Sequence, residues 1–344
     1  MPKQSKLLAR LNGKRMAAPL LMLLLILGMM LSFRMGRYPI SSSELFGMLL
    51  SKIVAIKPFW SMQMETILWN IRLPRILLAC MVGACLSGAG AAYQGIFHNP
   101  MASPDVLGAS AGASFGAALA ILLGASHGGI IGAAFAGSLI CIAMVWVIGR
   151  MSRGKQVLSL ILAGMMVSSL FQAGTSCVKL VADPGNQLPE ITYWLMGSLS
   201  GARMSDIAFA LIPMTAGVVP LLILRWQLNI LTLGDDEART LGVNAGAVRL
   251  VVIIAATLLT ASAVAVSGTI GWIGLVVPHL VRRLTGNDYR YLMPASLLGG
   301  ALFLLMADNV SRNLLQTEIP LGILTAFVGA PFFLWLIVRK GERA

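Results

Sequence analysis

The chain has 344 residues, of which 57% are hydrophobic and only 11% charged, with a mean hydropathy of +0.83. Water-soluble domains carry about 25% charged residues, so this composition excludes an ordinary soluble fold and points to a chain that crosses a membrane many times. The formal net charge of +13, from 26 basic and 13 acidic residues, does not indicate nucleic acid, because the basic residues are scattered with no stripe interleaved with aromatics.

Lys3, Lys6, Arg10, Lys14 and Arg15 precede an apolar run at 16–33. The start is charged as in a signal peptide, but no small-residue cleavage site stands before Arg34, so the sequence predicts a retained first span behind a cytosolic tail at 1–15. Runs long enough for about 20 membrane-embedded residues follow at 73–96, 106–124, 128–149, 157–178, 207–225, 249–267, 269–284, 291–311 and 319–338. With the first, these make ten spans in a single membrane domain over 1–344. The eighth is short, glycine-rich and interrupted by Pro278 and His279. An even count puts both termini on one side. The segments on that side, 1–15, 150–155, 225–249, 282–290 and 339–344, hold 17 of the 26 Lys and Arg, which makes it the cytosolic side. The outward segments, 34–72 and 181–206, are too short and too irregular in pattern for a separate domain.

In the second span, GACLSGAGAA at 83–92 reads as a small-residue face for helices packed backbone to backbone. Ser87-Gly88 followed by HNP echoes Ser267-Gly268 followed by PH, a match short enough to arise by chance in a glycine-rich chain. At the outer entrance of that span, Arg72 and Arg75 flank Pro74, which suits a helix's first turn. Cations there oppose the helix macrodipole. Either they reach to lipid phosphates, or they await carboxylates of a docking protein. Arg312 joins the same outer surface, although Asp308, one helical turn before it, offers an intrahelical pair.

Phe97 to Gly108, FHNPMASPDVLG, joins two spans on the inner side, with Ser103 or Asp105 available to cap the next helix. The charged island LGDDEARTLG at 233–242 cannot lie in hydrocarbon, where each of Asp235, Asp236, Glu237 and Arg239 costs several kcal/mol. Ala238, Leu241 and Ala245 recur at about one turn, which predicts a short amphipathic helix within 233–246 at the membrane surface, available to a partner.

Cys80, Cys85, Cys141 and Cys177 sit in apolar runs without metal-type spacing and read as small buried hydrophobes. His98, His127 and His279 are far apart, and the sequence contains no GxSxG, HExxH or GxxxxGK[ST] string. No catalytic set, metal site or ATP site is therefore predicted in this chain. The spans also lack the Asp/Glu/His chain that ion-coupled transport would use, which weighs against a secondary transporter.

Six ordered motifs carry a resemblance: RLPR at 72–75, SGAGAAYQGIFHNPMASPDVLGASAG at 87–112, ITYWLMGSLSG at 191–201, LGDDEARTLG at 233–242, GWIGLVVPHLVRR at 271–283, and ADNVSRN with EIPLGILTAFVGAPFFLWLI across 307–337. Together they resemble the FecCD-type permeases, the membrane subunits of ATP-binding-cassette importers for ferric siderophores, haem and cobalamin. The resemblance implies an all-α type II importer permease with ten spans, paired as a homodimer or with a paralogue, in the bacterial or archaeal inner membrane. It implies two cytosolic ATPase subunits, which bind ATP and Mg and grip a coupling helix at Gly234, Asp235, Asp236, Glu237, Ala238, Arg239, Leu241 and Gly242. It implies a periplasmic or lipid-anchored binding protein whose carboxylates meet Arg72, Arg75 and Arg312, and a cytoplasmic gate at Asn99 and Met101. Met101 stands where the family usually has Leu, a volume-conserving change. Asp235 stands where the family usually has Glu, which keeps the charge and shortens its reach. The expected cargo is a ferric siderophore, with haem or a corrinoid as alternatives.

Overall fold

The computed structural model describes residues 2–36, 38–54, 57–151 and 156–341. Of the inner basic segments expected from the sequence, residues 152–155 and 342–344 lie outside the described residues. In chain order the helices are α1 (Pro2–Arg34), α2 (Ser42–Leu50), α3 (Met62–Thr66), α4 (Leu73–Ile96), α5 (Ala109–Leu122), α6 (His127–Met151), α7 (Gln156–Val181), α8 (Gln187–Leu195), α9 (Met204–Ile223), α10 (Arg225–Leu231), α11 (Asp235–Thr240), α12 (Ala245–Ser267), α13 (Ile273–Thr285), α14 (Tyr289–Asn313) and α15 (Leu321–Gly341). No strand occurs among the described residues. Seven helices there are long and apolar enough to cross a membrane, and α5, α13 and α15 supply the other three expected apolar segments.

The bundle is built around α4 and α12. Of their apolar windows 78% and 72% are buried, against 28% for α7, so those two form the spine and α7 lies outside. Leu158, Leu162, Met165, Met166 and Leu170 of α7 are exposed, as are Leu20, Leu23 and Leu27 of α1. An apolar exterior around a glycine-rich interior suits a lipid solvent, because lipid provides no hydrophobic drive between helices and close backbone contact must hold them.

That contact is visible at the glycines. A Cβ on Gly83 would stand 2.2 Å from the Gly300 carbonyl oxygen, and one on Gly300 would stand 2.2 Å from that of Gly83, so α4 and α14 touch backbone to backbone. A Cβ on Gly90 would lie 1.8 Å from the Gly274 oxygen, which brings α13 against α4 in the same way. The GACLSGAGAA face thus serves two different neighbours.

Two expected boundaries are corrected. The second span begins at Met62 rather than 73, since α3, a π-helical stretch Ile67–Arg72 and α4 run on as one helix of 35 residues. The Leu73 N–H reaches back to the Leu68 carbonyl, and this wider turn relieves the clash that the Pro74 ring would make with the carbonyl four residues earlier. The eighth span is only α13, thirteen residues long; 268–272 is irregular, with Trp272 at φ 70° and Gly268 at φ 67°.

Gly300→Ala should lower the melting temperature of the purified protein in detergent, because overpacking against backbone costs about 1–3 kcal/mol and the Gly83 carbonyl cannot yield as a side chain would. Gly132→Ala in α6, where a Cβ meets nothing within 4 Å, should be neutral or slightly stabilising. Equal melting shifts would contradict this packing.

Candidate functional site

Charged groups gather at both ends of α4. At its N-terminal end the structure brings together Arg72, Arg75 and Arg312, each less than 9% exposed. Arg75 donates through Nε to Asp308 Oδ1 at 2.9 Å and through Nη1 to Glu318 Oε1 at 3.0 Å. The Arg312 Nε lies 3.1 Å from Asp308 Oδ2, and its Nη2 donates to Ser32 Oγ at 3.0 Å and to Asn309 Oδ1. Arg72 donates to the Phe33 and Tyr38 carbonyls. The intrahelical Asp308–Arg312 pair is therefore formed, with Asp308, fully buried, shared between two guanidiniums. All three arginines are engaged inside the chain, and none of these three guanidiniums stands open on the surface.

At the other end of α4, residues 97–102 and α10 and α11 converge. His98, held at φ 50°, places its Nε2 2.6 Å from the Leu231 carbonyl. Asn99 accepts the Met101 N–H at 2.9 Å through its side chain; both gate candidates are exposed, Met101 by 43%. Asp288 caps α14 through the Arg290 N–H at 3.0 Å and accepts from Asn229 Nδ2 at 2.8 Å, tying α10 to α14. The hydrogen bond from the Arg290 side chain pulls the Asp288 pKa down to about 2.

The charged island forms α11. Asp235, Asp236 and Glu237 occupy its first turn, where the macrodipole favours anions, after Gly234 at φ 131°. Ala238 is fully buried and Ala245 nearly so, but Leu241 is 57% exposed. The expected stripe breaks there because the chain turns at Gly242, φ 76°, instead of continuing the helix. Asp236 and Arg239 face water, whereas Asp235 binds Arg249 of α12 through Nη2 at 2.6 Å and Nη1 at 3.3 Å. That bond holds the Asp235 carboxyl below the usual carboxylate range. The link is therefore complete at neutral pH and is lost only as pH falls through the lowered pKa.

Between α5, α7, α13 and α15 opens a cavity of about 1160 Å³. Two interrupted stretches meet at its wall: the single 3₁₀ turn Pro104–Leu107 before α5, and 268–272 before α13. A Cβ on Gly274 would lie 2.2 Å from Pro104 Cγ, and Gln94 Nε2 donates to the Gly274 carbonyl at 3.3 Å. Irregular backbone at this depth is tolerated where it lines a cavity, and paired broken segments commonly mark a transport route. Asp105, rather than Ser103, caps α5, accepting the Ser110 N–H at 3.0 Å.

Sequence reasoning placed no role on Glu318, Asn309 or Arg249. For Glu318 and Arg249 the signal was available, since isolated charges beside long apolar runs must find partners. Asp308→Asn should cost about 3–5 kcal/mol of stability, leaving two buried guanidiniums short of charge, while Glu318→Gln, a partly exposed carboxylate, should cost about 1 kcal/mol or less. Thermal melts of the two variants check this, and equal losses would contradict it.

A model of the FecCD transport family matches residues 23–339. The chain is 38% identical over 319 residues to the molybdate import system permease protein MolB of Haemophilus influenzae, covering 93% of this chain and 94% of that one. It is 39% identical over 302 residues to the hemin transport system permease protein HmuU of Yersinia pestis, covering 84% and 90%. A solved metal-chelate type ABC transporter in an inward-facing conformation superposes with a TM-score of 0.82 at 37% identity, covering 94% of this chain and 99% of that one. The chain belongs to the FecCD transport family, as a membrane-spanning ABC transporter permease whose ATP hydrolysis resides in a separate subunit.

Proposed function

We propose that the chain imports a bulky metal chelate, a ferric siderophore, across the inner membrane with both termini cytosolic. The observation that carries this reading is the cavity of about 1160 Å³, larger than the 300–1,000 Å³ typical of small-ligand pockets. Such a volume suits a chelate far better than a bare ion. A haem or corrinoid is the alternative cargo of similar bulk.

In this reading a second copy of the chain, or a paralogue, completes the route, and Asn99 and Met101 close it on the cytosolic side. Two ATPase subunits, holding ATP and Mg, bind α11 through its exposed Asp236, Arg239 and Leu241, with Gly234 and Gly242 setting its ends and Glu237 and Ala238 its seat. The Asp235–Arg249 pair passes their movement to the spine helix α12. A periplasmic or lipid-anchored binding protein docks over the arginine cluster. Its carboxylate reaches Arg75 by displacing Glu318, whose side chain is 28% exposed.

Two outcomes are expected in proteoliposomes holding the permease, its ATPase and its binding protein. A ferric siderophore should accumulate with ATP while molybdate does not; the opposite preference would overturn the cargo. Gly242→Pro should leave ATP hydrolysis running but abolish uptake, because proline cannot adopt φ 76° and the end of α11 must reshape. Intact uptake in that variant would remove α11 from the coupling path.

A further inference from the structure

Among the described residues, Asp105 is the only charged side chain on the wall of the large cavity, and no Lys, Arg or His lines it. Much of the remaining polar wall presents acceptors. The hydroxyls of Ser114, Thr175, Ser176 and Thr260 donate to carbonyls one turn back in their own helices, and that of Thr269 donates to the Leu195 carbonyl. Each hydroxyl has one proton, so what it leaves for a cavity occupant is lone pairs.

Two helix N-termini oppose this tendency. Those of α5 and α13 both abut the cavity, through Ser110 and Gly274, and each carries about half a positive charge that favours anions. The α13 terminus has no side-chain cap, whereas Asp105 caps α5. An ionised Asp105 sets one full negative charge against both partial ones. Without it, the same wall would attract an oxyanion.

We infer that Asp105 is a specificity residue of the cargo route: it cancels the positive field of the two helix N-termini and restricts the cavity to neutral or cationic chelates that bring their own hydrogen-bond donors. This rests on the cavity being the cargo route, and it narrows the cargo by charge. Anionic chelates and tetrahedral oxyanions are the excluded class.

The test uses charged thiol reagents as probes. A Cys177→Ser chain carrying Ser176→Cys on the cavity wall is reconstituted in liposomes and treated with a cationic trimethylammonium-ethyl or an anionic sulfonatoethyl methanethiosulfonate. The ratio of cation to anion modification rates, normalised to a free thiol in solution, should fall about fourfold on adding Asp105→Asn, the change one elementary charge makes at roughly 10 Å in water. Asn keeps an acceptor for the Ser110 N–H, so the cap persists. Asp105→Lys should drive the ratio further in the same direction, and Gln172→Cys provides a second reporter should Ser176→Cys not fold. A ratio unmoved by either Asp105 substitution overturns the charge selector and leaves the route standing. Failure of both reagents to reach either reporter overturns the route itself, and with it this inference.

Discussion

A polar group at membrane depth has no water to turn to, so it must find its partner within the protein, and the organisation of this chain follows from that constraint. Helices approach until glycine carbonyls take the place of side chains, as Gly83 and Gly300 do. Guanidiniums near the N-terminal end of α4 draw in Asp308, Glu318 and backbone carbonyls until none stands alone. Two interrupted stretches, Pro104–Leu107 and 268–272, lie at the wall of a cavity. The charged island escapes the constraint by leaving the membrane, yet keeps one tie to it through Asp235 and Arg249.

These features combine into a device with distinct parts. α4 and α12 form a stiff spine, close-packed at glycines and alanines. The broken segments before α5 and α13 form part of the cavity wall, and neither is committed to a continuous ladder of α-helical hydrogen bonds. α11, the proposed handle, is joined to the spine by an ion pair whose arginine is buried and whose carboxylate is half-exposed. In the proposed reading a push on α11 moves the base of α12, and α12 contributes Thr260 to the cavity wall. The proposed coupling reaches the cavity from an ATPase on another chain by this path.

Much of this was legible in the sequence, for physical reasons that differ by element. Long apolar runs betray spans because hydrocarbon tolerates little else, and the charged island stood out for the converse reason. The glycine face was readable because small residues at helical spacing serve close packing. Boundaries were less readable: Pro74 looked like a helix start, and only a π-helical turn, which depends on what packs around it, allows the helix to run through. The Leu241 side chain looked like part of a buried stripe, but its direction depends on the backbone at Gly242. The three arginines were found and their clustering on one surface anticipated, whereas Glu318 lies far along the chain from Arg72 and Arg75, and its pairing needs the fold.

The handle's tie to the spine is the claim that bears the most weight, and a distance measurement addresses it directly. Spin labels placed at Asp236, which faces water, and at Ser176 on the cavity wall report the separation of handle and wall in the assembled transporter. The separation should shift by several ångströms, on the order of a one-turn helix displacement, when ATP is added, and that shift should vanish in Arg249→Met. An identical shift with and without Arg249 would contradict transmission through the Asp235–Arg249 pair.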